Sequence, residues 1–440
     1  MLKKYRIFII LFVITLITTT LAGAEWTHMQ FIVLKGIHGL TWDGFLSGFA
    51  FSGPFLLILT VHEFGHYFTA RYYHIKVTLP YYIPIWLGFL VVPSIGTGGA
   101  FIKILGKPKT TREFFDVGIA GPLAGFVIAL GVLFYGFTHL PPKDYIFQIH
   151  PEYQIFGDNY QNIVYDLDTV IYTKDLNLSE EIKSQIGDSA VFARGGLELG
   201  SNLLFDTFKE YVASEPELVP NMMEIYHYPF LFAGYLALFF TALNLLPVGQ
   251  LDGGHVLYGL IGIKKSRIAY RAIFVLFILF AGFGLITPHL PTKYLFIFGI
   301  AYFLYLNLTF SSVFPDFKRR IILIIWVFLL QYVGSHFIHL EMASYVYLLF
   351  GLIVGRILGV DHPASEIEVK IGLKRKLLGW LAMLIFVVSF TPSPFNINMG
   401  NAKKENAREE KSIGQMAIIS DINSIKSHYK EDDIDSKDHL

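Results

Sequence analysis

The feature that most constrains this chain is a series of apolar windows, each long enough to cross a lipid bilayer. A helix needs about 20 apolar residues to span the ~30 Å hydrocarbon core. The windows lie near residues 7–23, 46–61 (continuing to about 72), 114–137, 227–246, 268–288, 294–314, 321–338, 342–359 and 377–391. Since backbone polar groups in lipid must be satisfied within the segment, these windows predict helices. The sequence therefore predicts an all-α polytopic membrane protein.

The composition agrees with this class and argues against others. Of the 440 residues, 53% are hydrophobic and 16% are charged, whereas a soluble domain carries about 25% charged residues. The 35 Lys and Arg residues balance the 35 Asp and Glu residues, so nucleic acid is not an expected partner. The chain has no Cys, which excludes a disulfide framework, a thiol nucleophile and Cys-ligated metal sites.

Basic residues in the short loops predict the orientation, because cytoplasmic loops are enriched in Lys and Arg. All the basic clusters fall on one side when the windows are threaded in order. The clusters are Lys3–Arg6, Arg71–Lys76, Lys103–Arg112, Lys264–Arg271, Lys318–Arg320 and Lys374–Lys376. We therefore expect a multi-pass protein of the cell membrane with a cytoplasmic N-terminus.

Two segments outside the later windows carry topological information. Residues 138–225 hold 15 acidic and five basic residues, which predicts an extracytoplasmic insertion. At the N-terminus, the basic start, the apolar run and the Ala22–Ala24 segment are typical of a signal peptide. An uncleaved first span is equally consistent with the pattern, and residue 25 emerges outside in either case.

The sequence HEFGH at residues 62–66 lies within an apolar window. On a helix His62 and His66 lie on one face, one turn apart. Two imidazoles placed in this way can bind one Zn²⁺, and Glu63 can act as general base on a water at the metal. The alternative is a chance occurrence, but three polar side chains inside a span need partners. We therefore predict a metal site on this helix.

Two histidines leave zinc short of the three protein ligands usual in catalytic sites. The segment NLLPVGQLDGGH, residues 244–255, ends the fourth window. Its Pro and Gly residues predict broken helix at membrane depth, which is tolerated only against protein or a water-filled cavity. We expect Asp252 to be the third ligand, with a helix cap as the alternative. Asn244 could hydrogen-bond the substrate or an oxyanion or be a structural amide, and His255 is expected behind the ligands.

Together these motifs resemble those of the site-2 proteases, which are intramembrane zinc metalloproteases, and the similarity covers about residues 46–265. The resemblance implies that His62, His66 and Asp252 bind one zinc ion per chain, that Glu63 activates water and that Asn244 assists. It also implies a site-2-protease-like helical core near the cytoplasmic face, a short membrane-embedded β segment, and a transmembrane protein substrate within the lipid bilayer.

Two glycine-rich segments complete the predicted core. Residues 96–104, GTGGAFIKI, favour a strand over 99–104, with a plain re-entrant loop as the alternative. Similar segments in the family form a membrane-embedded strand that can hold substrate. A helical substrate hides its peptide bonds, so it must unwind, and pairing with an edge strand would satisfy the freed donors. Gly118, Gly121 and Gly125 predict a smooth face for close helix packing.

The predicted organisation divides the chain into consecutive regions around this core. They are residues 1–45 (first span and outer loop), 46–137 (zinc-binding helix and strand), 138–225 (insertion), 226–265 (span with the third ligand), 266–395 (additional spans) and 396–440 (a polar tail expected to be disordered). The favoured function is intramembrane zinc proteolysis. A zinc transporter and an inactive protease-like scaffold are the alternatives.

Overall fold

The apolar windows of the sequence form helices in the computed structural model of the chain. The structure describes residues 2–33, 39–90, 94–151, 153–154, 160–165, 171–172, 191–192, 196–288, 290–337 and 344–398. Within these ranges, five helices are long and apolar enough to cross a membrane: Tyr5–His28, Trp42–Tyr72, Thr111–Thr138, Thr292–Phe310 and Phe317–Phe337. Pro229–Leu245 and Tyr345–Leu358 are shorter apolar helices. The predicted all-α polytopic class is confirmed.

The elements follow one another as a helical series with a few short strands. The helices are α1 (Leu2–His28), α2 (Trp42–Ser47), α3 (Phe49–Tyr72), α4 (Thr111–Thr138), α5 (Tyr145–Ile149), α6 (Tyr160–Val164), α7 (Leu203–Tyr211), α8 (Pro229–Leu245), α9 (Asp252–Ile261), α10 (Ile263–Ala281), α11 (Thr292–Phe310), α12 (Phe317–Phe337), α13 (Tyr345–Ile353) and α14 (Leu373–Ser389). The strands are β1 (Tyr81–Pro84), β2 (Thr97–Phe101), β3 (Ile171–Tyr172), β4 (Val191–Phe192), β5 (Gly196–Leu199) and β6 (Phe395–Asn398).

Strands β1 and β2 form an antiparallel hairpin between α3 and α4, with Tyr81 opposite Phe101 and Tyr82 opposite Ala100. The predicted strand at 99–104 therefore exists, but it begins earlier and ends at Phe101. Beyond Phe101 the segment no longer pairs with β1, and Ile104 forms an isolated antiparallel bridge with Val77.

Helix α1 packs directly against α3 and the hairpin. Phe12 lies 5.2 Å from Tyr82, measured between ring centroids, and the Thr18 hydroxyl donates to the carbonyl oxygen of Gly96 at 2.7 Å. The small residues that resemble a signal-peptide cleavage site lie inside this packing, since Ala22 and Ala24 are fully buried.

The chain separates into two units. The first comprises residues 1–141 and 199–396, and the second comprises residues 142–198 and 397–440. In the second unit the described elements include α5, α6 and the antiparallel pair β3–β4. Residues 199–225, which the charge pattern assigned to the insertion, belong to the first unit.

The later helices enlarge the core of the first unit. Helices α10 to α13 bury aromatic residues such as Tyr270, Phe274, Phe310 and Tyr347 in one cluster. Helix α14 packs against α8, α9 and α4. At the start of α14, Arg375 forms a bidentate ion pair with Asp116 of α4, with Nε–Oδ1 and Nη2–Oδ2 distances of 2.7 and 2.8 Å. The chain's last described helix thus packs on the helices that carry the motifs.

Candidate metal centre

The two sequence motifs meet between α3 and α9. His62, Glu63 and His66 lie on α3 and are all buried. Asp252 is the first residue of α9. The Nε2 atoms of His62 and His66 are 3.1 Å apart, and they lie 3.5 and 3.3 Å from Asp252 Oδ2. The structure thus brings together all three residues predicted to bind the metal.

These separations suit a tetrahedral zinc ion. Zinc with ligand bonds of about 2.0–2.1 Å holds its ligand atoms roughly 3.3 Å apart. The three observed separations lie between 3.1 and 3.5 Å. Two imidazole nitrogens and one carboxylate oxygen also leave one tetrahedral position open, as catalytic zinc sites require. The donor set therefore fits zinc.

The ring of His66 is oriented by a neighbouring helix. Its Nδ1–H donates to the carbonyl oxygen of Val117 on α4 at 2.7 Å. Because a carbonyl can only accept, Nδ1 carries the proton and Nε2 is left with a lone pair. A second hydrogen bond of this kind is how proteins set the tautomer and orientation of metal-binding histidines. Helix α4 therefore orients the His66 ring so that its Nε2 lone pair faces His62 and Asp252.

Three glycines of α4 pack directly against the histidines of α3 and α9. A Cβ built at Gly121 would lie 2.1 Å from His66 Nε2, and one at Gly125 would lie 3.0 Å from His62 Cβ. At Gly118 the corresponding Cβ would lie 2.4 Å from that of His255. The sequence showed these residues only as a smooth packing face. Their spacing was the signal, but their relation to the imidazoles appears only when α3 and α4 are packed.

A tight turn delivers Asp252 to the site. Gly249 adopts φ = +53°, a conformation that a residue with a Cβ rarely takes. A Cβ on Gly253 would lie 2.0 Å from the carbonyl oxygen of Leu245 at the end of α8. The glycines thus allow α9 to start directly beside the end of α8. The predicted break of the helix is confirmed, because α8 ends at Leu245 and α9 begins at Asp252.

The remaining predicted residues lie close to these elements in the chain. Glu63 adjoins His62, and its carboxylate faces the backbone of Ile102, the residue after β2. Asn244 is half-buried in the last turn of α8, and within the described residues its side chain makes no hydrogen bond. His255 is not one of the converging groups and instead bonds His362, at 2.6 Å between Nδ1 and Nε2. Sequence reasoning missed His362, since nothing in its local sequence distinguishes it from an ordinary loop histidine.

A helical membrane protein that gathers two histidines and an aspartate in this way has the build of a zinc metalloprotease. The chain belongs to Peptidase family M50, whose family model matches residues 50–285. This membership favours the protease over the zinc transporter and the inactive scaffold.

The curated relatives are plant proteins described as probable zinc metalloproteases. The chain is 27% identical over 217 residues to the chloroplastic EGY2 of Oryza sativa subsp. indica, which covers 49% of this chain and 30% of the relative. It is 26% identical over 210 residues to the chloroplastic EGY2 of Arabidopsis thaliana, covering 48% and 28%. The match thus spans less than a third of the length of these relatives. No solved structure matches the chain.

Proposed function

We propose that this protein is an intramembrane zinc endopeptidase that hydrolyses peptide bonds in or near transmembrane segments of membrane proteins. One observation carries the proposal: His62, His66 and Asp252 converge to within 3.5 Å. Glu63 lies beside them on a helix long and apolar enough to span a membrane. We propose that this site binds one zinc ion per chain.

The residues of the site have distinct proposed roles. His62, His66 and Asp252 would hold zinc, which as a Lewis acid lowers the pKa of water and polarises a carbonyl. Glu63 accepts the proton of the attacking water and later donates it to the leaving amine. Asn244 would hydrogen-bond the substrate or the developing oxyanion. The buried position of Glu63 keeps this proton transfer away from bulk water.

The hairpin is proposed to present the substrate to Glu63. A helical segment hides its peptide bonds in its own hydrogen bonds, so it must unwind before it is cut. An unwound segment would find donors and acceptors along β2, as in other cases of strand addition. The support is positional: the backbone of Ile102, the residue after β2, faces the Glu63 carboxylate. A substrate lying along this strand would therefore approach the general base.

Replacing Phe101 with Pro tests this role of the strand. Proline removes the N–H and fixes φ, which breaks pairing in a strand, while the change lies outside both metal motifs. We expect Phe101→Pro to lose most cleavage and to retain zinc. Phe101→Ala, which keeps the donor and removes a half-exposed ring (48% exposed), should be much milder. Equal behaviour of the two variants in cleavage assays would mean that the side chain or its packing matters, and not the backbone.

The orientation in the membrane is also a proposal, based on the basic loops. We propose a cell-membrane location with the basic loops and the site on the cytoplasmic side. Because the chain has no Cys, single Cys residues can report it. Ser214 follows α7 and Lys265 lies in the first turn of α10, and both are exposed.

A Cys at Ser214 should react with a membrane-impermeant maleimide on intact cells or spheroplasts. A Cys at Lys265 should react only after permeabilisation. Mass shifts of the labelled protein measure both reactions, and the two exposed positions serve as each other's control. The opposite labelling pattern would reverse the topology and place the site on the other face of the membrane.

The function itself is tested in the membrane where the protein acts. Membrane proteomes of cells that carry the wild-type protein or Glu63→Gln should differ in fragments cut within or beside transmembrane segments. Those fragments should appear only with the wild-type protein, and their sequences would identify the substrates. Identical fragment patterns, with both proteins expressed and zinc-loaded, would argue against the proposed protease.

A further inference from the structure

A loop far along the chain from both motifs reaches the metal centre. Residues Gly359–Ile371, here named the C-terminal strap, connect the turn after α13 to α14. They lie outside residues 50–285, the part that the family model matches. The strap nevertheless contacts α9, α10 and the N-terminal end of α4, and it reaches the turn that precedes Asp252.

The strap is fastened along its whole length. At its start, the strap packs against the turn before Asp252: the carbonyl oxygen of Gly359 lies only 2.1 Å from the position that a Cβ on Gly249 would occupy. Asp361 then pairs with Arg271 of α10, at 2.6 Å between Oδ2 and Nη2. Further on, the Ser365 hydroxyl contacts the Tyr258 hydroxyl of α9 at 2.7 Å.

Backbone bonds and apolar packing fasten its second half. The N–H of Ile367 donates to the Lys109 carbonyl oxygen at 3.0 Å, and Ile371 packs in a buried cluster with Phe115 and Val256. These contacts join the strap to the N-terminal end of α4 as well as to α9. The strap therefore ties together elements that form two sides of the metal centre.

Within the strap, His362 forms the link to the helix of Asp252. His362 is buried (3% exposed), and its Nδ1–H donates to the carbonyl oxygen of Pro363 at 2.5 Å. Burial lowers the pKa of His362 to about 3, so the ring is neutral and its Nε2 is an acceptor. The Nδ1–H of His255 donates to that acceptor at 2.6 Å.

The linked rings are enclosed on their other sides. Phe114 of α4 stacks on His255 with 5.6 Å between ring centroids and meets His362 edge-on at 4.8 Å. Gly118 lies against the Cβ of His255. His255 therefore has one position, set by α4 and by the strap together.

His255 lies one turn after Asp252 on α9. The N-cap of α9, Leu251, makes no side-chain capping bond, so the orientation of the first turn depends on packing from outside the helix. Ligand groups must be held within about 0.5 Å to act together. Resting on the proposed function, we infer that His362 is a positioning residue that acts through His255 to align Asp252 with His62 and His66.

The test compares two polar replacements of His362 in the purified full-length protein. Gln places an acceptor near the Nε2 position and can keep the bond to His255, whereas Asn is too short to reach it. Zinc loss to an excess of chelator and the visible absorption of the Co²⁺-substituted protein are the readouts. Glu368→Ala, at an exposed position of the same strap, is the matched control.

We expect His362→Asn to lose zinc about 10–100 times faster than the wild type, the usual cost of removing a group that orients a ligand, with an altered cobalt spectrum. His362→Gln and Glu368→Ala should stay close to the wild type in both readouts. The Gln variant retains the acceptor, so it still tests the proposal if the Asn variant fails to fold. A folded Gln variant that loses zinc would contradict the idea that His362 acts through its hydrogen bond to His255.

Asp252→Asn, measured in parallel, distinguishes a failure of the positioning role of His362 from a failure of the proposed metal centre. If His362→Asn holds zinc as the wild type does while Asp252→Asn loses it, the positioning role is wrong and the metal centre stands. If Asp252→Asn also holds zinc normally, the metal centre itself is wrong, and the role of His362 falls with it.

Discussion

Replacing Glu63 with Gln is expected to abolish peptide hydrolysis while the protein keeps its fold and its zinc. The amide is nearly isosteric with the carboxylate but cannot accept the proton of the attacking water. General acid–base catalysis contributes about 10²–10⁴-fold to rate, so cleavage should fall by at least that factor. Glu63 is not one of the three converging groups, and metal content should therefore be unchanged. Cleavage of a transmembrane substrate and zinc content of the purified variant measure the two effects.

Asp252→Asn is the matched comparison, because it makes the same chemical change at a proposed ligand. It should weaken zinc binding itself, so that loss of cleavage follows loss of metal. The pair separates a catalytic base from a metal ligand. Near-normal turnover by Glu63→Gln would contradict the proposed role of Glu63 as general base, whatever the metal content.

Replacing Gly121 with Ala is expected to displace the metal-binding histidine and to remove both zinc and activity. The new Cβ would lie 2.1 Å from His66 Nε2, a distance at which no two such atoms can coexist. Overpacking of this kind costs about 1–3 kcal/mol when the surroundings can shift, but a ligand tolerates displacement of only about 0.5 Å. We therefore expect most of the zinc to be lost even if the helices remain folded.

Two other glycines of α4 provide the controls for this change. Gly131 has no heavy atom within 4 Å of a built Cβ, so Gly131→Ala should retain normal zinc and cleavage. Gly125→Ala should be intermediate, since its Cβ would lie 3.0 Å from His62 Cβ. Zinc content and thermal unfolding of the three variants give the ranking. A Gly121→Ala protein with wild-type zinc and turnover would show that α4 does not wall the site.

Local sequence was sufficient for the helices and for two of the three converging groups. His62 and His66 are four residues apart, so any helix through them places both imidazoles on one face. The apolar windows predicted the helices because a chain in lipid must satisfy its own backbone. The Pro and Gly residues before Asp252 likewise predicted the break between α8 and α9.

Other features depended on contacts that no local pattern encodes. The strand β2 ends at Phe101 and not at residue 104, since Ile104 bridges to Val77 and does not extend the ladder with β1. Gly121 had the same appearance as Gly125 and Gly118 in the sequence, and only the packed helices show which imidazole each one faces. His362 gave no signal at all.

The helical segments, the helix that carries the paired histidines and the candidate carboxylate could all be read from residue order. These are consequences of spacing over a few residues and of the solvent properties of the bilayer. Only the folded chain shows that Asp252 meets those histidines, that the glycines of α4 pack against the imidazoles, and that the C-terminal strap joins His362 to His255. These contacts join residues that lie far apart in the chain. They depend on how whole helices pack together, and no short stretch of sequence encodes that packing.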